Sequence, residues 1–258
     1  RASAVALMFT GLTLANVLGV PLGTALGQEA GWRSTFWAVT VIGVIALIGL
    51  IRFLPAKRDE EKLDMRAELR ALKGAGIWLS LSMTALFAAS VFTLFTYVRP
   101  FLETVTQVDV RVLSFILLVI GVAGFIGTML IGMFLKRGLY GTLIIVSMLM
   151  ALIALMLIPW GRRVIPVAVL LGFWGLLATA APVGWWSWVA QAMPESAEAG
   201  GGLMVAVVQL CIALGSMLGG LLFDSTGYRS TFFASSTLLL VAVVLTFLTS
   251  RSKAPQAA

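Results

Sequence analysis

A chain of 258 residues with 60% hydrophobic and only 11% charged side chains cannot clothe itself for water, since a soluble domain carries about 25% charged residues. One cysteine, Cys211, and no histidine exclude an internal disulfide framework, a Ser-His-Asp triad and a histidine proton relay; neither a metal nor a cofactor is expected. The net charge of +7 is spread over loops without forming a patch, so it points to loops held at the inner membrane face and not to nucleic acid.

The apolar residues come in blocks of about 20, which cross roughly 30 Å of hydrocarbon at 1.5 Å per residue. An all-α membrane protein with eight transmembrane helices is expected: Ala4–Leu26, Thr35–Leu54, Ile77–Val98, Leu113–Leu135, Tyr140–Ile158, Val164–Val189, Leu203–Phe223 and Ser230–Leu248. Short connections suggest that consecutive helices are antiparallel neighbours. The exception is the polar stretch from Pro55, which carries Leu63, Met65, Leu69 and Leu72 among charges and reads as a linker with a short amphipathic surface helix. The expected organisation is residues 1–54 as two helices of one bundle, 55–74 as the linker, 75–250 as a six-helix bundle and 251–258 as a tail. The chain opens on Arg1, not methionine, with an apolar block at once; an N-terminal truncation is expected.

With the N-terminus inside, Arg1, Arg52, Lys57, Arg58, Lys62, Arg66, Arg70, Lys73, Lys136, Arg137, Arg251 and Lys253 lie on the inner side. Arg33, Arg99, Arg111, Arg162, Arg163 and Arg229 lie outside. That asymmetry predicts a cytoplasmic linker and C-terminus in an inner (plasma) membrane. All 11 acidic residues fall in loops or at span ends.

An internal repeat organises the chain. Gly31-Trp32-Arg33-Ser34-Thr35-Phe36 returns as Gly227-Tyr228-Arg229-Ser230-Thr231-Phe232, an offset of 227 − 31 = 196 residues, and Gly19, Gly23 and Leu26 return as Gly215, Gly219 and Leu222. The first two spans therefore correspond to the last two in equal orientation, a parallel repeat of two halves. Projecting the linker's end back by the same offset places the expected start about 120 residues upstream, room for four more helices at this spacing.

Six spans plus six around a charged cytoplasmic linker resemble the major facilitator superfamily. Gly19-Val20-Pro21-Leu22-Gly23-Thr24, followed by Gly31-Trp32-Arg33, resembles the fifth helix of the drug and sugar efflux branch, with Val20 between the glycine and proline that are adjacent in its antiporter motif. Gly132-Met133-Phe134-Leu135-Lys136-Arg137 is similar to the superfamily's Gly-x-Leu-x-Asp-Arg loop, with Lys136 at the acidic position. Phe95-Thr96-Tyr97-Val98-Arg99-Pro100, Pro182-Val183-Gly184-Trp185 and Val205-Ala206-Val207-Val208-Gln209-Leu210 are similar to bacterial purine ribonucleoside efflux pumps. The resemblance implies secondary transport by alternating access: export of purine ribonucleosides, a small-molecule substrate, driven by protons. Sugar or multidrug efflux is the alternative within the superfamily. A carrier of this kind is expected to be a monomer when complete, and the proton-coupling carboxylate to lie outside this chain.

Candidate residues follow from the cost of polar groups in lipid. Asn16 and Gln209 are amides at depth, able to donate to and accept from a base or ribose, or to join two helices. Phe92 and Tyr97 on the third span and Trp174 on the sixth offer faces on which a planar base stacks for about 1–3 kcal/mol. Trp185, Trp186 and Trp188 read first as interfacial belt residues. Thr93, Thr96 and Ser187 are weaker candidates, since such hydroxyls usually bond their own helix. Gly19, Gly23, Gly215 and Gly219 form small-residue stripes, serving static packing or a sliding seam between halves, and Pro21 should bend the first span. Arg99 has three readings: snorkelling, pairing with Glu103, or gating the cavity from outside.

Overall fold

The computed structural model describes residues 15, 18–19, 22–23, 25–53, 75–192 and 197–251. Among them, no strand occurs. The helices are α1 (Trp32–Phe53), α2 (Ala75–Phe95), α3 (Val98–Phe101), followed by a π-helical turn over Leu102–Thr106, then α4 (Val110–Leu135), α5 (Leu139–Trp160), α6 (Val164–Ala192), α7 (Ala197–Thr226) and α8 (Tyr228–Arg251). Seven helical segments among the described residues are long and apolar enough to cross a membrane. Most of the expected first span, the linker helix, Asn16 and Pro21 lie outside the described residues.

The chain divides into two compact units, Arg1–Met65 and Arg66–Ala258. In the first, residues 25–29 are helical and Gly31, at φ +79°, turns the chain into α1. Ser34 Oγ donates to the carbonyls of Gly31 (2.6 Å) and Leu26 (3.1 Å), and Thr35 Oγ1 to that of Gly23 (3.1 Å). The Arg33 guanidinium lies 5.1 Å above the Trp32 ring, which meets Phe36 edge-on.

The second unit repeats this turn bond for bond. Gly227 has φ +85°; Ser230 Oγ donates to Gly227 (2.7 Å) and Leu222 (3.3 Å), and Thr231 Oγ1 to Gly219 (3.3 Å). Arg229 lies 6.0 Å over Tyr228, which meets Phe232 edge-on. Every partner is displaced by 196 residues, so the sequence repeat is also a repeat of backbone geometry. The physical cause is the same in both copies: a left-handed glycine lets two helices reverse direction, and the following hydroxyls satisfy carbonyls at the end of the preceding helix.

The most extensive helix contacts in the second unit are not those of chain neighbours. α4 packs chiefly on α6, α2 on α7 and α8, and α8 also on α5. The expectation of consecutive antiparallel neighbours holds for α5 with α6 and for α7 with α8, while α4 with α5 and α6 with α7 touch little, because a short loop joins two ends without choosing the faces that pack. The faces are chosen by small residues. A Cβ on Gly127 of α4 would meet the backbone of Leu176, with Leu176 Cα at 3.1 Å, and one on Gly175 would meet Ile120. Likewise Gly215 and Gly219 of α7 lie against the backbone at Ala89 and Thr93 of α2. These stripes let helix axes approach closely in lipid; α8 adds hydrogen bonds from Ser235 Oγ to Ser90 (2.7 Å) and from Ser236 Oγ to Ala151 (3.1 Å).

The third span ends differently from the expected Val98. α2 stops at Phe95, and Tyr97 N–H bonds Leu94 in a tight turn. Pro100 has no N–H for the Thr96 carbonyl and its ring opposes that carbonyl, which ends the regular ladder. The π-helical turn beyond it is tied to the end of α5 by Thr106 Oγ1 donating to Gly161 (2.8 Å).

Candidate functional site

A cavity of 230 Å³ lies between α2, α6 and α7. α2 contributes Thr84, Phe87, Ala88, Val91 and Phe92; α6 contributes Ala178, Pro182, Trp185 and Trp186; α7 contributes Met204, Val205, Val208 and Gln209. The spacings 84-88-91-92, 178-182-185-186 and 204-205-208-209 are each one face of a helix. Three faces converge on one space.

Its lining holds no charged side chain. The Thr84 hydroxyl donates to its own helix at Ser80 (3.0 Å). Gln209 is exposed, and its amide keeps one acceptor and two donors for a ligand. Trp185 is only 3% exposed and its indole N–H has no acceptor among the described residues, an omission that typically costs about 1–3 kcal/mol. Phe87 meets the Trp185 ring at 5.8 Å and 54°, so the indole plane is held. The cavity can therefore stack a planar ring and form a few directed hydrogen bonds, without drawing in an ion.

Of the residues anticipated from sequence, Phe92 and Gln209 line this cavity. Tyr97 and Trp174 do not. Tyr97 falls past the break in α2, about 140° around the helix from Phe92; its ring stacks on Phe223 at 5.5 Å and its hydroxyl donates to Ser216 (2.9 Å). Trp174 is one turn beyond Ala178 and fully buried, at 0% exposure, so no face of its ring is open to a base. Gly215 and Gly219 pack within the second unit against α2, with Thr93 Oγ1 donating to Ala89 (2.8 Å) and Gly215 (3.1 Å). In the first unit Gly23 has Thr35 Cγ2 3.4 Å from where a Cβ would stand, and Gly19 has open space. Arg99 pairs with Glu103, Nε to Oε1 at 2.8 Å. Ser187 bonds its own helix at Val183 (2.7 Å).

The belt reading of the tryptophans is corrected for two of them. Trp185 and Trp188 are buried, the latter donating its N–H to the Tyr140 hydroxyl at 3.2 Å. Trp186 is partly exposed and lines the cavity. The helix runs on to Ala192, so these rings are further from its end than the polar residues after Val189 suggested. The i, i+4, i+7 phase of Ala178, Pro182 and Trp185 was the available signal.

Apolar helices long enough to cross a membrane, packed in the second unit by glycine stripes around a small uncharged cavity, are the architecture of a polytopic membrane protein. A model of the Major Facilitator Superfamily matches residues 1–215. The chain belongs to that family. It is 52% identical over 256 residues to the Transcription regulatory protein OpdE of Pseudomonas aeruginosa, covering 98% of this chain and 64% of that protein. It is 33% identical over 242 residues to the Purine ribonucleoside efflux pump NepI of Escherichia coli K12, covering 94% of this chain and 61% of that protein. The protein of the same name in Shigella flexneri matches to the same extent. The chain thus spans less than two thirds of the length of these relatives.

Proposed function

We propose that this chain forms the cargo-binding part of a secondary carrier that exports purine ribonucleosides, or closely similar small neutral molecules, by alternating access. The observation that carries the reading is the cavity: aromatic, uncharged and equipped with the free amide of Gln209. A sugar needs many hydrogen-bonding partners, and this lining is mostly rings and aliphatic groups; a base needs faces and a few edge contacts. The efflux pumps at 33% identity supply the direction and the cargo class.

Membership of a plasma-membrane carrier with cytoplasmic linker and C-terminus, action as a monomer, and proton drive belong to the same proposal. So do the division at residues 54 and 74 and a share of the site for Asn16. In that orientation the lining residues fall in the inner halves of α6 and α7, the side from which exported cargo would enter. Cysteines introduced near Lys62 and Ser252 should react with impermeant reagents from the same side of the membrane; opposite sides would end the parallel-repeat reading.

The cargo is tested by expressing the gene in cells exposed to toxic purine analogues, antibiotics and sugars. Protection confined to the purine analogues is expected. Gln209→Leu should abolish most of it at unchanged protein level, and full protection by that variant would remove Gln209 from the site. Collapse of the proton gradient should stop export.

A second reading comes from the relative at 52% identity, whose name is that of a transcription regulatory protein. A carrier that lowers the intracellular level of an effector changes transcription without touching DNA, so transcript changes that vanish with Gln209→Leu would unite the two.

A further inference from the structure

The end of the second unit at which α5 turns into α6 carries a charge pattern that the cargo cavity does not use. Arg162 and Arg163 follow α5 directly and are both exposed. Arg229 is brought to the same end. Its Nε donates to the Tyr228 hydroxyl at 3.5 Å, and that hydroxyl donates at 3.1 Å to the carbonyl of Ile158, one turn before Arg162. Among the described residues the one ion pair is Arg99 with Glu103, so none of these three arginines has an acidic partner. Asp109 is engaged in capping α4, accepting from Val112 N–H at 2.8 Å, and Asp224 near the end of α7 offsets only one of the three charges.

The turn itself is held in place. Arg163 N–H bonds the Trp160 carbonyl (2.9 Å), and the Gly161 carbonyl accepts from Thr106 (2.8 Å). Its depth is set by α5, whose 22 residues span about 33 Å, so the arginines stand just beyond roughly 30 Å of hydrocarbon. Trp160 and Ile165 flank them and are exposed, Ile165 by 78%. A dissolved anion has no use for apolar side chains beside the cations. A lipid has, with its phosphate at the guanidinium groups and its chains along Trp160 and Ile165.

We propose that the α5–α6 turn is a binding site for the headgroup of an anionic phospholipid, held by Arg162 and Arg163, with Arg229 adding to the positive field. A guanidinium meets a phosphodiester through two parallel N–H donors. Phosphatidylglycerol leaves its negative charge uncompensated, whereas phosphatidylcholine carries its own ammonium beside the phosphate, so the site separates the two by charge. Lys136 and Arg137 stand at the opposite end of α5, which makes this contact separable from a general attraction of basic loops for anionic lipid.

The test is native mass spectrometry of the purified full-length protein in detergent, titrated separately with phosphatidylglycerol, phosphatidylcholine and glycerol 3-phosphate. The parent should bind its first phosphatidylglycerol about ten- to thirtyfold more tightly than phosphatidylcholine. Arg162→Gln combined with Arg163→Gln should remove most of that preference, while Lys136→Gln combined with Arg137→Gln keeps it. Unchanged thermal unfolding of the first double variant in phosphatidylcholine nanodiscs shows that its fold is intact. A parent without preference overturns the proposal, as does a preference that survives loss of both Arg162 and Arg163. Equal loss in the two double variants would mean general charge attraction, and glycerol 3-phosphate binding as tightly as the lipid would mean a site for a dissolved anion; either result also overturns it.

Discussion

Replacing Gly127 by alanine adds one methyl group where the structure has no room for it. The new Cβ would lie against the carbonyl oxygen of Leu176, with its carbonyl carbon at 2.8 Å and Cα at 3.1 Å. Ordinary contact begins near 3.5 Å, and backbone atoms cannot rotate away as a side chain can. α4 and α6 must therefore separate, loosening Gly124 against Thr179 and Gly175 against Ile120 along the same seam. Overpacking of this kind costs about 1–3 kcal/mol, and the rigid partner places it at the upper end. Alanine returns about 0.5–1 kcal/mol of helix propensity, leaving a net loss of about 2 kcal/mol. For a domain of this size that lowers the apparent melting temperature by about 4–8 °C. Gly132→Ala is the control: it stands in the same helix with nothing within 4 Å, and should be neutral or slightly stabilising. Both variants are read by thermal unfolding in detergent, followed by monodispersity on gel filtration. A Gly127→Ala protein that melts at or above the parent would refute the close-packing argument.

Tyr97→Phe removes the bond to Ser216 at the α2 break; a loss of about 0.5–1.5 kcal/mol is expected from interhelical hydrogen bonds in membranes, and unchanged melting would show that the ring stack on Phe223 suffices. Gly31→Ala and Gly227→Ala each force an L-residue to positive φ, so each should lower stability by about 1–2 kcal/mol; tolerance at both positions would contradict the repeated turn. Arg99→Gln should shift the melting temperature little, since an exposed pair is worth about 0–1 kcal/mol. A gating role for Arg99 would then appear as altered export at unchanged stability, and unaltered export would discard it.

The relation between sequence and site differs by residue. Gln209 and Phe92 could be picked out because an amide and a ring inside an apolar block stand out against their surroundings. Tyr97 was misplaced because its phase depends on where α2 breaks, and the break depends on how Pro100 and the π-helical turn are held against Gly161. Trp174 and Trp185 are both tryptophans on one face of α6, and only the packing of α2 and α7 decides that one is sealed and the other borders a cavity. Gly215 and Gly219 announce a close approach, while its partner, α2, meets them at Ala89 and Thr93, 215 − 89 = 126 positions away along no readable pattern.

Composition and block length determined that this chain lives in lipid, because no arrangement of so few charges can cover it against water. The repeated Gly-aromatic-Arg-Ser-Thr turn also follows from local chemistry alone, since a left-handed glycine and the hydroxyls after it act within one dozen residues. Which helix faces meet, and hence where a cavity remains, was decided only in three dimensions: all the helices are apolar, so hydropathy ranks no pairing above another. Close approach of glycine to backbone breaks that tie.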